Sequence, residues 1–367
     1  MRKKIFWVVL FIIIFVIAAS GGYFYKIYNN IYVGKTIEVV AVNSPTPTPT
    51  PDPLAPKNIL LLGYGGVGHE GGVLTDTVIL AHVVPRENRV TLISIPRDVW
   101  VPIQMQDGIE YYKINHAFAI GVDENLYPNK PPEYKGVLGG GQLAANAAGF
   151  ITGLNIDYFV SINFNGFKNI IDILGGVDVY VPYSFKDEYY PIKGMEEELC
   201  EKSEEELGAI HATMSGELLE KEFKCRFETL EFTKGINTLD SEAALKFVRS
   251  RHSEIYGGDF GRSLRQQSLI VAIKNKLLNF GSITKIIPVI NTISVNVQTD
   301  IDIKAATDLI RQQEDLDYIE ITGFSLTTDN VFEETISDNG QYVLIPKDGE
   351  DNWGVVRKFV KEKLISE

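Results

Sequence analysis

The sequence predicts an α/β protein: an α/β/α sandwich around a central mixed β-sheet, preceded by one transmembrane helix. Three observations predict it. Short β-branched and leucine-rich runs alternate with helical segments, two strand-like runs are joined across four residues, and an uncharged N-terminal stretch matches a bilayer core in length.

At 367 residues and 45% hydrophobic composition the chain can bury a substantial core. Its formal net charge of -13 excludes general nucleic-acid affinity, which needs a basic surface, so any anionic ligand must be held by a local cluster. Cys200 and Cys225 are the only cysteines, too few for a thiolate zinc site or a dense disulfide framework.

The elements follow in chain order. Arg2, Lys3 and Lys4 close residues 1–4 and precede the uncharged run from Ile5 to Tyr25, which as a helix is about 31 Å long. Cations on that flank place residues 1–4 in the cytoplasm and everything after Lys26 outside a cell membrane crossed once by residues 5–25. A cleaved signal peptide, with Ala18, Ala19, Ser20 and Gly21 near the cut, is the competing reading. Residues 26–57 form a stalk, whose SPTPTPTPDPLAP segment from Ser44 to Pro56 favours a polyproline II spacer of about 3.1 Å per residue.

The folded part begins at Asn58. Asn58 to Leu62, Thr77 to Val84 and Arg89 to Ile95 read as buried strands, the last two a hairpin across Pro85 to Asn88 that makes the sheet mixed. Gln142 to Thr152 reads as a helix and Tyr158 to Asn163 as a strand. Phe164 to Leu174 is a helix ended by Gly175 and Gly176, and Val177 to Val181 resumes as a strand. Residues 185–233 are acidic and lack a clear period, which predicts an insertion on the sheet's rim. Both cysteines fall inside it; a disulfide there would add about 3 kcal/mol in an oxidising compartment, and two free thiols are the other reading. Asp240 reads as the N-cap of a helix over Ser241 to Val248, and a second helix runs from Gly261 to Leu278. Residues 58–280 then make the main domain, and 281–367 an α/β extension packed on it.

Gly63, Gly65 and Gly68 satisfy GxGxxG, but more glycine and a strand follow where a dinucleotide site needs a helix N-terminus. The informative stretch is Phe247 to Gln267, where Arg249, Arg251, Arg262 and Arg265 reverse the sign of an acidic chain. Arg249 and Arg251 alternate, so an extended segment points both to one face; Arg262, Arg265 and Gln266 share a helix face. Guanidinium forks from two elements, with helix N-terminal amides near Gly261, suit phosphate oxygens. A solvated helix face with salt bridges to Asp259 and Glu254 is the plainer alternative.

Asp76 begins a strand and Arg97 with Asp98 follows a strand end, where loops on a rigid sheet carry function. A carboxylate beside an arginine fork suits magnesium bound to a pyrophosphate, since that ion takes one or two protein oxygens and fills its shell with phosphate and water. An Asx-turn at Asp76 and a surface ion pair of Arg97 with Asp98 remain open. Lys113 and Asn115 offer another phosphate contact or a strand-to-helix turn.

Together these segments resemble the LytR-CpsA-Psr family of wall-polymer ligases. The matching pieces are LTDT (Leu74 to Thr77), SIPRDVWV (Ser94 to Val101), KINHAFAIG (Lys113 to Gly121), IDYFVSINFNGF (Ile156 to Phe167), DILGGVDV (Asp172 to Val179) and VRSRH through GDFGRSLRQQ (Val248 to Gln267). The resemblance implies an α/β/α catalytic domain with a deep apolar channel for a polyprenyl chain and an arginine-lined mouth that grips its pyrophosphate with Mg2+ or Mn2+. It assigns Asp76 to the metal and Arg97, Arg249, Arg251, Arg262 and Gln266 to the head group, with Arg265 and Asp98 in support. Two positions depart from the family: Gly65 stands where many members carry a second aspartate, and Leu74 where many carry an arginine.

The implied activity is extracytoplasmic phosphotransfer. A hydroxyl of peptidoglycan or another surface acceptor attacks the glycan-linked phosphorus of a polyprenyl-pyrophosphate carrier, and polyprenyl phosphate leaves. Arg97, Arg249, Arg251 and Arg262 neutralise the developing charge, and Asp98 or Asp259 accepts the proton. Two rivals share the site: a pyrophosphatase, which yields no adduct when given peptidoglycan, and a non-catalytic carrier-binding scaffold, which releases no polyprenyl phosphate.

Overall fold

A computed structural model describes residue 26 and residues 28–34, 52, 54–66, 68–69, 71–214, 217–278, 296–311 and 319–366. The expected anchor over 5–25 and residues 35–51 of the expected stalk lie outside the described residues; at the ends of the stalk the expectation is corrected, because Tyr32 bridges Thr299, the Val33 amide donates to the Thr299 carbonyl at 3.0 Å, and Lys57 already begins a strand. Among the described residues no helix is long and apolar enough to cross a membrane.

The strands are β1 (Lys57–Tyr64), β2 (Thr75–Val84), β3 (Arg89–Ser94), β4 (Trp100–Met105), β5 (Gly108–Lys113), β6 (Tyr158–Asn163), β7 (Val177–Val181), β8 (Phe185–Pro191), β9 (Phe227–Phe232), β10 (Gly235–Leu239), β11 (Val297–Thr299), β12 (Glu320–Ser325), β13 (Phe332–Ile336) and β14 (Tyr342–Pro346). The α-helices are α1 (His116–Val122), α2 (Gly136–Thr152), α3 (Phe164–Leu174), α4 (Glu204–Thr213), α5 (Glu217–Glu222), α6 (Ser241–Arg249), α7 (Gly258–Leu278), α8 (Ile303–Arg311) and α9 (Gly354–Ser366). The chain divides into two compact units: Met1–Ile173 with Gly281–Glu367, and Leu174–Phe280.

The first unit is built on a six-stranded sheet in the order β11-β6-β1-β2-β3-β12. It is mixed as expected: β1 pairs parallel with β6 and β3 with β12, while β1–β2, β2–β3 and β6–β11 are antiparallel. The β2–β3 hairpin closes through a short 3-10 turn at Pro85–Glu87, ended by Asn88 at φ 47. Proline fixes the first turn position and asparagine tolerates the left-handed one. Leu60 and Leu62 alternate inward from β1 and meet Val78, Leu80, Ile93, Phe118 and Phe159 in one apolar core. Gly121 and Gly140 let α1 and α2 touch backbone to backbone; a Cβ on Gly121 would collide with the Gly140 amide.

Residues 281–367 are more than an extension packed on this unit. β11 and β12 form the two outer strands of its sheet, and Val356 and Val360 of α9 are fully buried in its core. The sequence hides this because each edge strand is short, and its partner is remote in the chain.

The second unit corrects the rim-insertion expectation for residues 185–233. The ends of that stretch are the paired strands β8 and β9, outside the six-stranded sheet, and β7 pairs only with β10. The period was obscured because β8 turns Phe185, Asp187 and Tyr190 inward, with a carboxylate where an apolar residue belongs and a register shift between the last two. A capping box between Ser203 and Glu206 starts α4. Cys200 and Cys225 are disulfide-bonded, with Cα atoms 5.6 Å apart. The loop they close also holds Phe223, buried beneath the Arg226 guanidinium at 3.9 Å. In α6 the Asp240 carboxylate accepts the Ala243 amide at 2.8 Å, the expected cap.

Candidate functional site

The candidate residues fall into one cluster in each unit. In the first, Gly63 pairs with Thr77 and Tyr64 with Thr75, which leaves Asp76 as the extra residue of a bulge at the start of β2. Bulges of this kind re-aim a side chain. Asp76 Oδ1 accepts from Arg97 Nη1 at 2.5 Å, Arg97 Nε reaches Asp98 Oδ2 at 3.4 Å, and Lys113 Nζ reaches Asp98 Oδ1 at 2.7 Å. The four side chains thus form one alternating chain of charges. Its backbone is fixed too: the Thr75 amide donates to the Asn115 carbonyl at 3.2 Å, and the Leu344 amide to the Asp98 carbonyl at 3.0 Å. Asn115 is buried, and its side-chain Oδ1 has no hydrogen-bond partner among the described residues. The departure at Gly65 has a steric counterpart, because a Cβ there would lie 2.8 Å from the His69 Cβ.

In the second unit the arginine segment is organised around a residue that the sequence did not single out. Asp187 is completely buried and accepts from Ser250 Oγ at 2.7 Å and from the Arg251 and His252 amides at 2.9 and 3.1 Å. Its other oxygen accepts from the Tyr189 amide at 3.0 Å. Burial pushes the Asp187 carboxyl up, but the hydrogen bonds from Ser250, Tyr189, His252 and Arg251 outweigh it and hold it below the ordinary carboxylate value. Nothing in the local pattern marks Asp187, since it sits among other acidic residues.

The geometry corrects the expectation of an extended Arg249–Arg251 face. Arg249 is the last residue of α6; its Nη1 donates to the Tyr190 hydroxyl at 3.1 Å, and its guanidinium lies 5.7 Å from the Tyr190 ring centroid. Arg251, past the helix end, pairs with Asp259 at 3.5 Å. Arg262 pairs with the same Asp259 oxygen at 3.1 Å and is buried, with its Nε unbonded among the described residues. Two guanidinium groups therefore share one carboxylate. Helix α7 begins at Gly258 rather than Gly261, so Asp259 lies in its first turn, where an anion interacts favourably with the helix dipole.

Arg265 is a structural support. It donates to the Tyr256 carbonyl at 2.9 Å and to the Ser250 carbonyl, and lies 4.8 Å from the Phe185 ring centroid. Burial lowers its pKa to about 10, which leaves it cationic at neutral pH. Gln266, half-buried, follows Arg262 by one turn of α7.

Among the described residues no three His, Cys, Asp or Glu side chains are grouped to hold a metal ion. The first unit does offer hard oxygen donors: the Asp76 carboxylate and the unbonded Asn115 Oδ1. That set fits a magnesium ion that arrives with a pyrophosphate and keeps phosphate and water ligands, not one held by protein alone.

A profile described as the LytR_cpsA_psr family matches residues 25–352. A Bacillus cereus protein named polyisoprenyl-teichoic acid–peptidoglycan teichoic acid transferase TagU is 29% identical over 82% of this chain and 80% of its own. An Oceanobacillus iheyensis protein of the same name is 28% identical over 92% of this chain and 91% of its own. Among solved structures, TagV from Bacillus subtilis superposes with a TM-score of 0.54 at 25% identity, covering 85% of this chain and 98% of that one.

Proposed function

The chain belongs to the LytR-CpsA-Psr family, and from that premise we propose that it moves a glycopolymer from a polyprenyl-pyrophosphate carrier to a peptidoglycan or other cell-surface hydroxyl. The observation that carries this reading is the gathering of two guanidinium groups, Arg251 and Arg262, around one carboxylate, Asp259, at a helix N-terminus in a chain of net charge -13. Such a site suits pyrophosphate oxygens. The names of the B. cereus and O. iheyensis relatives supply the donor and acceptor classes, a polyisoprenyl-linked teichoic acid and peptidoglycan.

In the reaction, the acceptor oxygen bonds to the glycan-linked phosphorus and the bond to polyprenyl phosphate breaks, leaving a phosphodiester and releasing one proton. In the second unit Arg249, Arg251 and Arg262 bind pyrophosphate oxygens and neutralise the leaving charge, with Gln266 as a neutral hydrogen-bond donor; in the first, Arg97 and Lys113 offer phosphate oxygens positive charge of the same kind. Asp259, with 41% of its side chain exposed against 12% for Asp98, is the better placed proton acceptor. Asp98, between Arg97 and Lys113, orients Arg97, and Arg265 fixes the turn. Mg2+ or Mn2+, when bound by Asp76 and Asn115, supplies further charge neutralisation at the phosphates.

The setting follows the same reading. Residues 5–25 anchor the chain in the cell membrane with its N-terminus cytoplasmic, the proline-rich residues 44–56 form a spacer, and the enzyme works outside. The Cys200–Cys225 disulfide supports an oxidising compartment. Mass spectrometry of lipid extracted with the full chain is expected to find a polyprenyl pyrophosphate, in smaller yield after chelation of divalent ions. Phospholipid alone would overturn the assignment.

A further inference from the structure

Three aromatic side chains of the second unit form an exposed row. Tyr183 and Tyr256 stack with ring centroids 5.1 Å apart and planes 24° apart, and Tyr256 stacks in turn with Phe260 at 6.5 Å and 30°. They are 50%, 42% and 43% exposed, and the Lys234 ammonium lies 6.0 Å from the Tyr183 centroid. The row is rigidly mounted: Tyr256 is held at φ 54 with its carbonyl bound by Arg265, on the turn that leads into Asp259. Beside it opens a cavity of about 510 Å³, lined by Ser184 and Ile255, the chain neighbours of Tyr183 and Tyr256, and by Lys186, Glu188, Glu231 and Glu254.

Neither the pyrophosphate chemistry nor the packing of this unit uses these rings. Apolar surface gathered in one place and rimmed by polar groups marks a binding surface. We propose that the shelf and cavity bind an uncharged hexopyranose strand, the glycan that presents the accepting hydroxyl; this rests on the transferase reading. A pyranose offers an apolar C–H face to stack on flat rings and a rim of hydroxyls that need hydrogen-bond partners, and the shelf supplies the first while the cavity supplies the second. Charge selects among saccharides. Glu188, Glu231 and Glu254 line it together with Lys186, which is paired with Glu188 at 2.6 Å, and with His252, so carboxylates predominate and a polyanionic polymer is repelled while a neutral strand is not.

The test is calorimetric titration of the detergent-solubilised full chain with chitotetraose, an uncharged amino-sugar tetrasaccharide. Binding is expected, weakened about tenfold or more by Tyr183→Ala and by Phe260→Ala and kept within about twofold by Tyr183→Phe, with thermal melting unchanged. No binding by the parent chain, equal binding by Tyr183→Ala, or tighter binding of a glycerol-phosphate oligomer overturns the proposal. So does loss of binding to phosphatidylglycerol vesicles in Tyr183→Ala when the parent takes no tetrasaccharide, since the shelf then serves a membrane. Transfer is assayed separately: a chain that binds tetrasaccharide on the shelf but transfers nothing sinks the transferase reading alone, and one that transfers without binding it sinks the shelf alone.

Discussion

Arg262 concentrates the chemistry of the second unit at one side chain. It is buried, it shares the partly exposed Asp259 with Arg251, and its Nε has no partner among the described residues, so its guanidinium is held in place from behind while its partner carboxylate faces solvent. Fixed donors of this kind are worth most in the transition state. Arg262→Ala is expected to lower transfer by about 10² to 10³, read as initial rate of polyprenyl phosphate release, with Arg262→Lys recovering only part because it cannot form a fork. Asp187 acts by a different route, holding Ser250, Arg251 and His252 in place without itself meeting a ligand. Asp187→Ala leaves its buried donors unsatisfied and is expected to cost about 3 kcal/mol, seen as faster hydrogen exchange at the amides of residues 250–253. Its carboxyl is held below the ordinary value of 3.8, so the stability it gives is fully present above that pH and is lost as pH falls through the folded-state pKa. Circular dichroism between pH 5 and 2 should show Asp187→Ala lacking this acid-sensitive component.

At the scale of the element, the turn between α6 and α7 decides where the arginines point. Gly258 takes φ 64, its amide donates to the Arg251 carbonyl at 2.7 Å, and a Cβ on Gly261 would run into the Tyr256 carbonyl. Gly261→Ala is therefore expected to displace Tyr256 or the first turn of α7 and reduce transfer at least tenfold. This turn shows where the sequence was legible. The arginines announced a cluster, and Asp240 announced α6, because capping and composition are local signals. That a buried carboxylate from β8 gathers the segment behind Arg249 depends on contacts more than sixty residues away in the chain. In the first unit the strands near the chain start were readable from their apolar runs, and Asp76 from its place at a strand start. The bulge that turns Asp76 toward Arg97 was not, since a bulge is a property of two strands in register.

At the scale of the whole molecule, the two units are stabilised differently. The first closes a mixed sheet with edge strands drawn from the far end of the chain, so its core joins residues near 60 to residues near 360. The second has two-stranded sheets and adds a covalent link across a separation of 25 residues. Reduction of that disulfide is expected to cost about 3 kcal/mol, read as a lower melting temperature for the second unit in dithiothreitol and no further loss in a Cys200→Ser, Cys225→Ser double variant. The arrangement of donors, carboxylates and a helix N-terminus serves one claim, that a glycan leaves its lipid carrier by transfer to a wall hydroxyl rather than to water. The direct measurement is mass spectrometry of muramidase-digested peptidoglycan after incubation with the purified full chain and polyprenyl-pyrophosphate-linked glycan. The account predicts a phosphodiester between glycan and muropeptide sugar, formed in step with polyprenyl phosphate. Polyprenyl phosphate accompanied only by free glycan phosphate, or no release at all, would contradict it.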